Sequence, residues 1–224
     1  MQISTNHKFA FLCMPKCAST SIERAISTLC NINFLGRTRI KHINAQIFTE
    51  KILSAHQALL PSIQIESFCV MREPLDWIES WYKYRSREIL KKETNPNYTG
   101  HISYNDFITE YISKGTRKPF AKIRTQYDFL KLCNGAIGVD QIFPMENMGL
   151  VEQFLFEKTN SKIIIPRINQ SPTKDMTQLP PELEDALRQH LAIDIVVYNF
   201  IKKHKTFQNS QHGEEFMERL AELD

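Results

Sequence analysis

Residues Phe9 to Ile26 (Phe-Ala-Phe-Leu-Cys-Met-Pro-Lys-Cys-Ala-Ser-Thr-Ser-Ile-Glu-Arg-Ala-Ile) read as strand, tight loop and helix, and the rest of the chain is placed relative to them. Phe9 to Met14 are apolar without alternation, the pattern of a central parallel strand covered on both faces. Pro15 ends the strand. Ile22, Ile26, Leu29 and Cys30 recur at helical spacing, and Thr20 with Glu23 three residues on fits a capping box. The helix is therefore expected to start near Ser19 or Thr20.

Such a turn gathers unpaired backbone N–H groups, the hydroxyls of Ser19, Thr20 and Ser21, and the Lys16 ammonium around one point beyond the strand's C-terminal end. That point attracts an anion, most often a phosphate. The plain alternative is an ordinary strand-to-helix turn whose hydroxyls cap the helix and whose lysine is solvated. The loop lacks the Gly-x-x-x-x-Gly-Lys-Ser/Thr pattern, and no glycine precedes Gly36, so a triphosphate P-loop is not expected.

With 224 residues, 42% of them hydrophobic, the chain fits one α/β domain over 1–224. A net charge of +3 is too mild to call for nucleic acid and suits a small anionic ligand. Cys13, Cys17, Cys30, Cys69 and Cys133 form an odd, scattered set without a Cys-x-x-Cys pair, so they read as reduced thiols rather than a disulfide framework or zinc site. The opening residues carry no apolar secretion segment and no stretch is long enough to span a bilayer, so a soluble cytoplasmic protein is expected.

Further along, Phe34 to Ile40 reads as a second strand and Ala45 to about Ala55 as a helix, which puts His42 at a strand-to-helix junction. In an open parallel sheet that edge binds ligands. Ile63 to Met71 reads as a third strand ending in Arg72-Glu73-Pro74, and Leu75, Ile78, Trp81 and Tyr82 begin a helix to about Leu90. Lys91 to Gly100 is a polar loop, placed to gate acceptor access. Helices are expected over Tyr104 to Ile112 and Phe120 to Leu132, a strand over Val139 to Met145, and a helix from Glu146 to Phe156. A short strand over Lys162 to Pro166, a long helix from Glu182 to about Lys203 and a peripheral acidic helix over 213–224 complete the chain. The expected architecture is a central parallel sheet of about four to five strands flanked by helices.

Two loops thus carry anion-binding groups: Lys16 with its hydroxyl cluster, and Arg72 with Ser80 two helical turns away. A guanidinium fork suits a phosphate, and the two sites suggest a ligand with phosphates at two places. Pro15-Lys16-Cys17-Ala18-Ser19-Thr20-Ser21 resembles the 5′-phosphosulfate loop of the sulfotransferases that use 3′-phosphoadenosine 5′-phosphosulfate (PAPS). Arg72-Glu73-Pro74 with Ser80 resembles their 3′-phosphate motif, at the family's spacing and in its order. Lys41-His42-x-x-Ala45, Phe143-Pro-Met-Glu146-Asn147 and Asn169-x-Ser171-Pro172 resemble segments of the carbohydrate-type and bacterial branch. The resemblance runs from about Phe9 to Phe200, with one departure: Ala18 stands where many members have glycine.

This resemblance implies a P-loop-like sulfotransferase fold and transfer of a sulfuryl group from PAPS to a hydroxyl, or an amine, of a saccharide or small-molecule acceptor, with no metal. Lys16 to Ser21 would hold the 5′-phosphosulfate and Arg72 with Ser80 the 3′-phosphate, Lys16 neutralising the leaving oxygen. His42 is the leading candidate for the base, ahead of His56, His101 and Glu73, the last of which helix capping explains more simply. Bland readings stand beside the sharp ones. Trp77, Trp81, Tyr82 and Tyr84 fit core packing as well as stacking on a sugar or adenine, and Lys83, Arg85, Arg87, Lys91 and Lys92 fit a solvated helix face as well as a polyanion track. Arg167, Asn169 and Ser171 fit a polar turn or a closure over the nucleotide, and Cys17 at a helix N-terminus is either incidental or reactive. The competing functions are a nucleoside or small-molecule kinase, which would need Mg²⁺ and the missing glycine-rich loop, and a nucleotide-binding module without catalysis.

Overall fold

The structure, a computed structural model, describes residues 1–91, 95–168 and 178–221. Its strands are β1 (Gln2–Ser4), β2 (Phe9–Phe11), β3 (Ile32–Asn33), β4 (Glu66–Met71), β5 (Gln141–Pro144) and β6 (Phe207–Gln208), which form one six-stranded sheet in the order β3-β1-β2-β4-β5-β6. Only the centre is parallel: β2 pairs β4 with Phe11 opposite Phe68, and β4 pairs β5 with Val70 opposite Phe143. On the outside β1 and β3 add antiparallel at one edge and β6 at the other. The sheet is therefore mixed, not the parallel one expected. Two- and three-residue edge strands carry too little periodicity to read, while Phe9 to Met14 and Phe68 to Met71 are buried throughout as central strands must be. Around Phe68 gather the rings of Phe9, Phe11, Phe143 and Phe154, at 5.0 to 6.2 Å between centroids.

Helices α1 (Ser19–Ile26), α2 (Thr38–Lys41), α3 (Ala45–Ile47) and α4 (Ser54–Leu59) fill the crossover between β2 and β4, the last two joined by a π-helical stretch over Phe48–Leu53. No strand occupies Phe34 to Ile40. Gly36 sits at φ 88 and Leu35 is exposed, so the chain turns there and enters α2. After β4 come α5 (Pro74–Arg85), α6 (Tyr104–Tyr111) and α7 (Gln126–Leu130). The expected helix over Phe120 to Leu132 is shortened because Thr125 and Asp128 close a capping box that starts it afresh. Beyond β5 lie α8 (Met148–Thr159), α9 (Pro181–His190), α10 (Ala192–His204) and α11 (Asn209–Ala221). Lys162 to Pro166 forms no strand; the Ile165 N–H donates to Glu152 Oε1 at 2.8 Å instead. The long helix expected over 182–203 breaks at Leu191, and α11 is not peripheral: Phe216 is fully buried against Phe200 and Phe207. No helix among the described residues is long and apolar enough to cross a membrane.

Candidate active site

Because β2 and β4 are parallel neighbours, the loops that follow them leave the same edge of the sheet side by side. The first loop bends through positive φ at Lys16 (66°) and Ala18 (52°), with Cys17 between them on the ordinary side. Alternation of this kind turns successive N–H groups toward one concavity. Ala18 is the N-cap of α1, and the helix's own bonds begin with the N–H groups of Ser21 and Ile22 donating to Ala18 O, so those of Ser19 and Thr20 lie ahead of the ladder. No Thr20–Glu23 capping box forms. Glu23 instead turns inward, where it pairs with Lys41 at 2.5 Å and accepts from Cys13 Sγ at 3.3 Å.

The second loop is locked by Glu73, whose carboxylate accepts the Asp76 N–H at 2.8 Å and caps α5; Pro74 opens that helix. This capping explains Glu73 without a catalytic task. Ser80 lies on the same helix and is 4% exposed. Trp77 Nε1 donates to Pro15 O at 2.9 Å, which ties α5 to the first loop. A second tie comes from Gln126, fully buried at the start of α7. Its Nε2 donates to Arg72 O at 2.9 Å, and its Oε1 accepts from the Arg72 N–H at 3.0 Å and from Cys17 Sγ at 3.4 Å. Sequence reasoning passed over Gln126, although the Thr125-x-x-Asp128 signal places it at a helix start.

Charge concentrates between the loops. Burial, and after it the guanidinium groups of Arg87 and Arg72, push the Lys16 ammonium down from 10.5 to about 8. Arg72 Nε is buried without a hydrogen-bond partner among the described residues. A buried, unpartnered guanidinium N–H whose charge is felt at a second cation calls for an anionic acceptor. The Lys16 ammonium rests over the Tyr84 ring at 4.2 Å, and the Arg87 guanidinium over the same ring at 5.3 Å.

The other described residues of the basic run have partners within the protein. Lys83 pairs with Glu79, Lys91 pairs with Glu88, and Arg85 donates to Pro119 O and Phe120 O while lying over Trp81. Trp77 and Tyr82 are buried core residues. Cys17 is buried and its thiol is pushed up to about 12 by burial, the opposite of an activated cysteine.

His42 follows α2 as its C-cap, not a strand. Its Nδ1 lies 2.6 Å from Cys13 O, three residues upstream of Lys16. A carbonyl oxygen only accepts, so Nδ1 carries the hydrogen and Nε2 keeps the free lone pair. Burial lowers the pKa of this imidazole, which keeps it neutral near pH 7. His56 is buried inside α4, not on a loop, and neither ring nitrogen has a partner among the described residues. His101 lines a separate groove of about 580 Å³ with Asp106, Glu110 and Lys118. Asn169, Ser171, Pro172 and Lys92 lie outside the described residues; just before them, the Ile168 N–H donates to Ser21 Oγ at 3.2 Å, bringing that strand of chain to the first loop. Among the described residues no group of three or more His, Cys, Asp or Glu side chains is arranged to hold a metal ion.

A family model described as the sulfotransferase family matches residues 1–214 of this chain. No curated protein and no solved structure matches it.

Proposed function

The chain belongs to the sulfotransferase family, and from that premise we propose that it moves the sulfuryl group of PAPS to a hydroxyl of a saccharide or other small acceptor. The observation that carries this reading is the convergence of Lys16, Arg72 and Arg87 between two loops tied together by Gln126 and Trp77, with the Arg72 Nε–H unpartnered among the described residues.

In this reading the N–H groups and hydroxyls of Ser19 to Ser21 hold the 5′-phosphate, while Arg72 and Ser80 hold the 3′-phosphate and so separate the donor from ATP. The acceptor oxygen attacks sulfur in line. A new S–O bond forms as the bond from sulfur to the bridging oxygen breaks, and 3′,5′-adenosine diphosphate leaves. Charge growing on the bridging oxygen is met by the Lys16 ammonium in a partly dehydrated setting, where such stabilisation is strong. The acceptor's proton passes to Nε2 of His42, the nitrogen that the Cys13 carbonyl leaves free.

Calorimetric titration with 3′,5′-adenosine diphosphate in the absence of metal tests the reading, with ATP and Mg²⁺ as comparison. Tight, metal-independent binding of the bisphosphate with weak binding of ATP is expected. The reverse preference would turn the two loops into a kinase-like site and overturn the proposal.

A further inference from the structure

Among the described residues of the basic run along α5 and beyond, Arg87 alone meets neither a carboxylate nor a backbone carbonyl. Lys83, Arg85 and Lys91 each meet a carboxylate or backbone carbonyls. Arg87 has no carboxylate partner among the described residues and lies on the Tyr84 ring, whose other cation is Lys16. Two positive groups drawn to one aromatic ring repel each other, an arrangement that leaves charge to be neutralised from outside. Tyr84 itself is 36% exposed, so the stack lies at the protein surface rather than in the core.

We propose that Tyr84 is a positioning residue that seats the Lys16 ammonium at the donor loop, and that Arg87 is a further binding residue that closes on the same anionic group of the ligand. This rests on the donor-site reading above. Tyr84 acts through its ring: the π face steers a flexible lysine side chain, whose four-carbon stem would otherwise sample many rotamers, to one place. Arg87 then shares the ligand charge with Lys16, and a bound anion replaces their mutual repulsion with attraction to both.

The test uses the full chain with three variants and two probes, 3′,5′-adenosine diphosphate and inorganic pyrophosphate, alongside a carbon-13 titration of Lys16 followed by NMR in the ligand-free protein. For Arg87→Ala the expected results are a roughly tenfold loss of affinity for the probes, the scale of one charge-assisted contact, a flatter salt dependence, and a Lys16 midpoint that moves up from about 8. Arg87→Lys should restore most of the affinity. Tyr84→Phe keeps the ring and should behave like the parent; Tyr84→Leu should lower kcat more than it raises KM and should move the Lys16 midpoint.

Unchanged affinity in Arg87→Ala, or indistinguishable Tyr84→Phe and Tyr84→Leu, overturns the proposal even if the parent binds the bisphosphate tightly. Bisphosphate binding absent from the parent, with pyrophosphate affinity still set by Arg87, would sink the donor reading and leave the stack standing. A parent that binds neither probe removes both.

Discussion

Ala18 holds a left-handed backbone, φ 52, at the mouth of the first loop. An L-residue with a Cβ pays about 1 kcal/mol or more for that conformation, so Ala18→Gly should raise unfolding stability by about that amount, measured by chemical denaturation. The departure from the family's glycine therefore leaves the curl of the loop intact and affects its energy. Two other residues set the pH behaviour of turnover. In the proposed mechanism Lys16 is charged when it meets the leaving oxygen, so kcat/KM should fall as pH rises through about 8. As the proposed base His42 accepts a proton only when neutral, and burial lowers its pKa, so the acid limb should lie below the ordinary histidine value of 6.5. His42→Ala should cost about a hundredfold in rate and abolish the acid limb while leaving the alkaline one. An acid limb that persists in that variant would move the base to another residue.

Among the elements, α7 is a helix of only five residues on which both loops depend. Its capping box fixes where it begins, Asp194 of α10 accepts the Tyr127 N–H at 2.9 Å, and Gln126 is thereby presented to Arg72 and Cys17. Gln126→Leu keeps the bulk but strands the Arg72 N–H and carbonyl in the interior. An unsatisfied buried group costs about 1–3 kcal/mol, so a loss of at least about 2 kcal/mol is expected in denaturant titrations, together with weaker bisphosphate binding. Stability equal to that of the parent would show that the two loops hold each other without this bridge. Helix α5 is more forgiving. Pro74, the Glu73 cap and the Trp77 bond to Pro15 each fix it independently.

At the scale of the whole molecule, α10 joins the sheet to the site by packing against β5, α5 and α7. Asp194 lies at that junction, 2% exposed, and burial pushes its carboxyl from 3.8 up to about 7. The folded protein then holds this proton more tightly than the unfolded chain does. Its contribution to stability is complete below about 3.8 and is lost as pH rises through about 7. Urea midpoints should accordingly decline between pH 5 and pH 8, to a first approximation set by this group, and Asp194→Asn, which keeps an acceptor for the Tyr127 N–H, should flatten that slope. An identical slope in the variant would place the titration elsewhere.

The sequence by itself determined the parts whose signals are local. A short unbroken apolar run fits a covered central strand and a proline after a polar loop opens a helix, so the strands at Phe9 and Phe68 and the helices that follow them were legible in the sequence. Tertiary structure decided everything that depends on what lies across space. Edge strands of two or three residues exist only because a central sheet offers them an open row of hydrogen-bonding groups. Glu23 left its expected cap for Lys41, and Cys17 became an inert thiol because the core closed over it. Among the described residues of the basic run, only folding could single out Arg87, since pairing partners such as Glu79 and the carbonyls at Pro119 and Phe120 neutralise or occupy its neighbours. Periodicity and capping act within a few residues along the chain, whereas desolvation and charge act through distance in the folded molecule, and distance is fixed only by the fold.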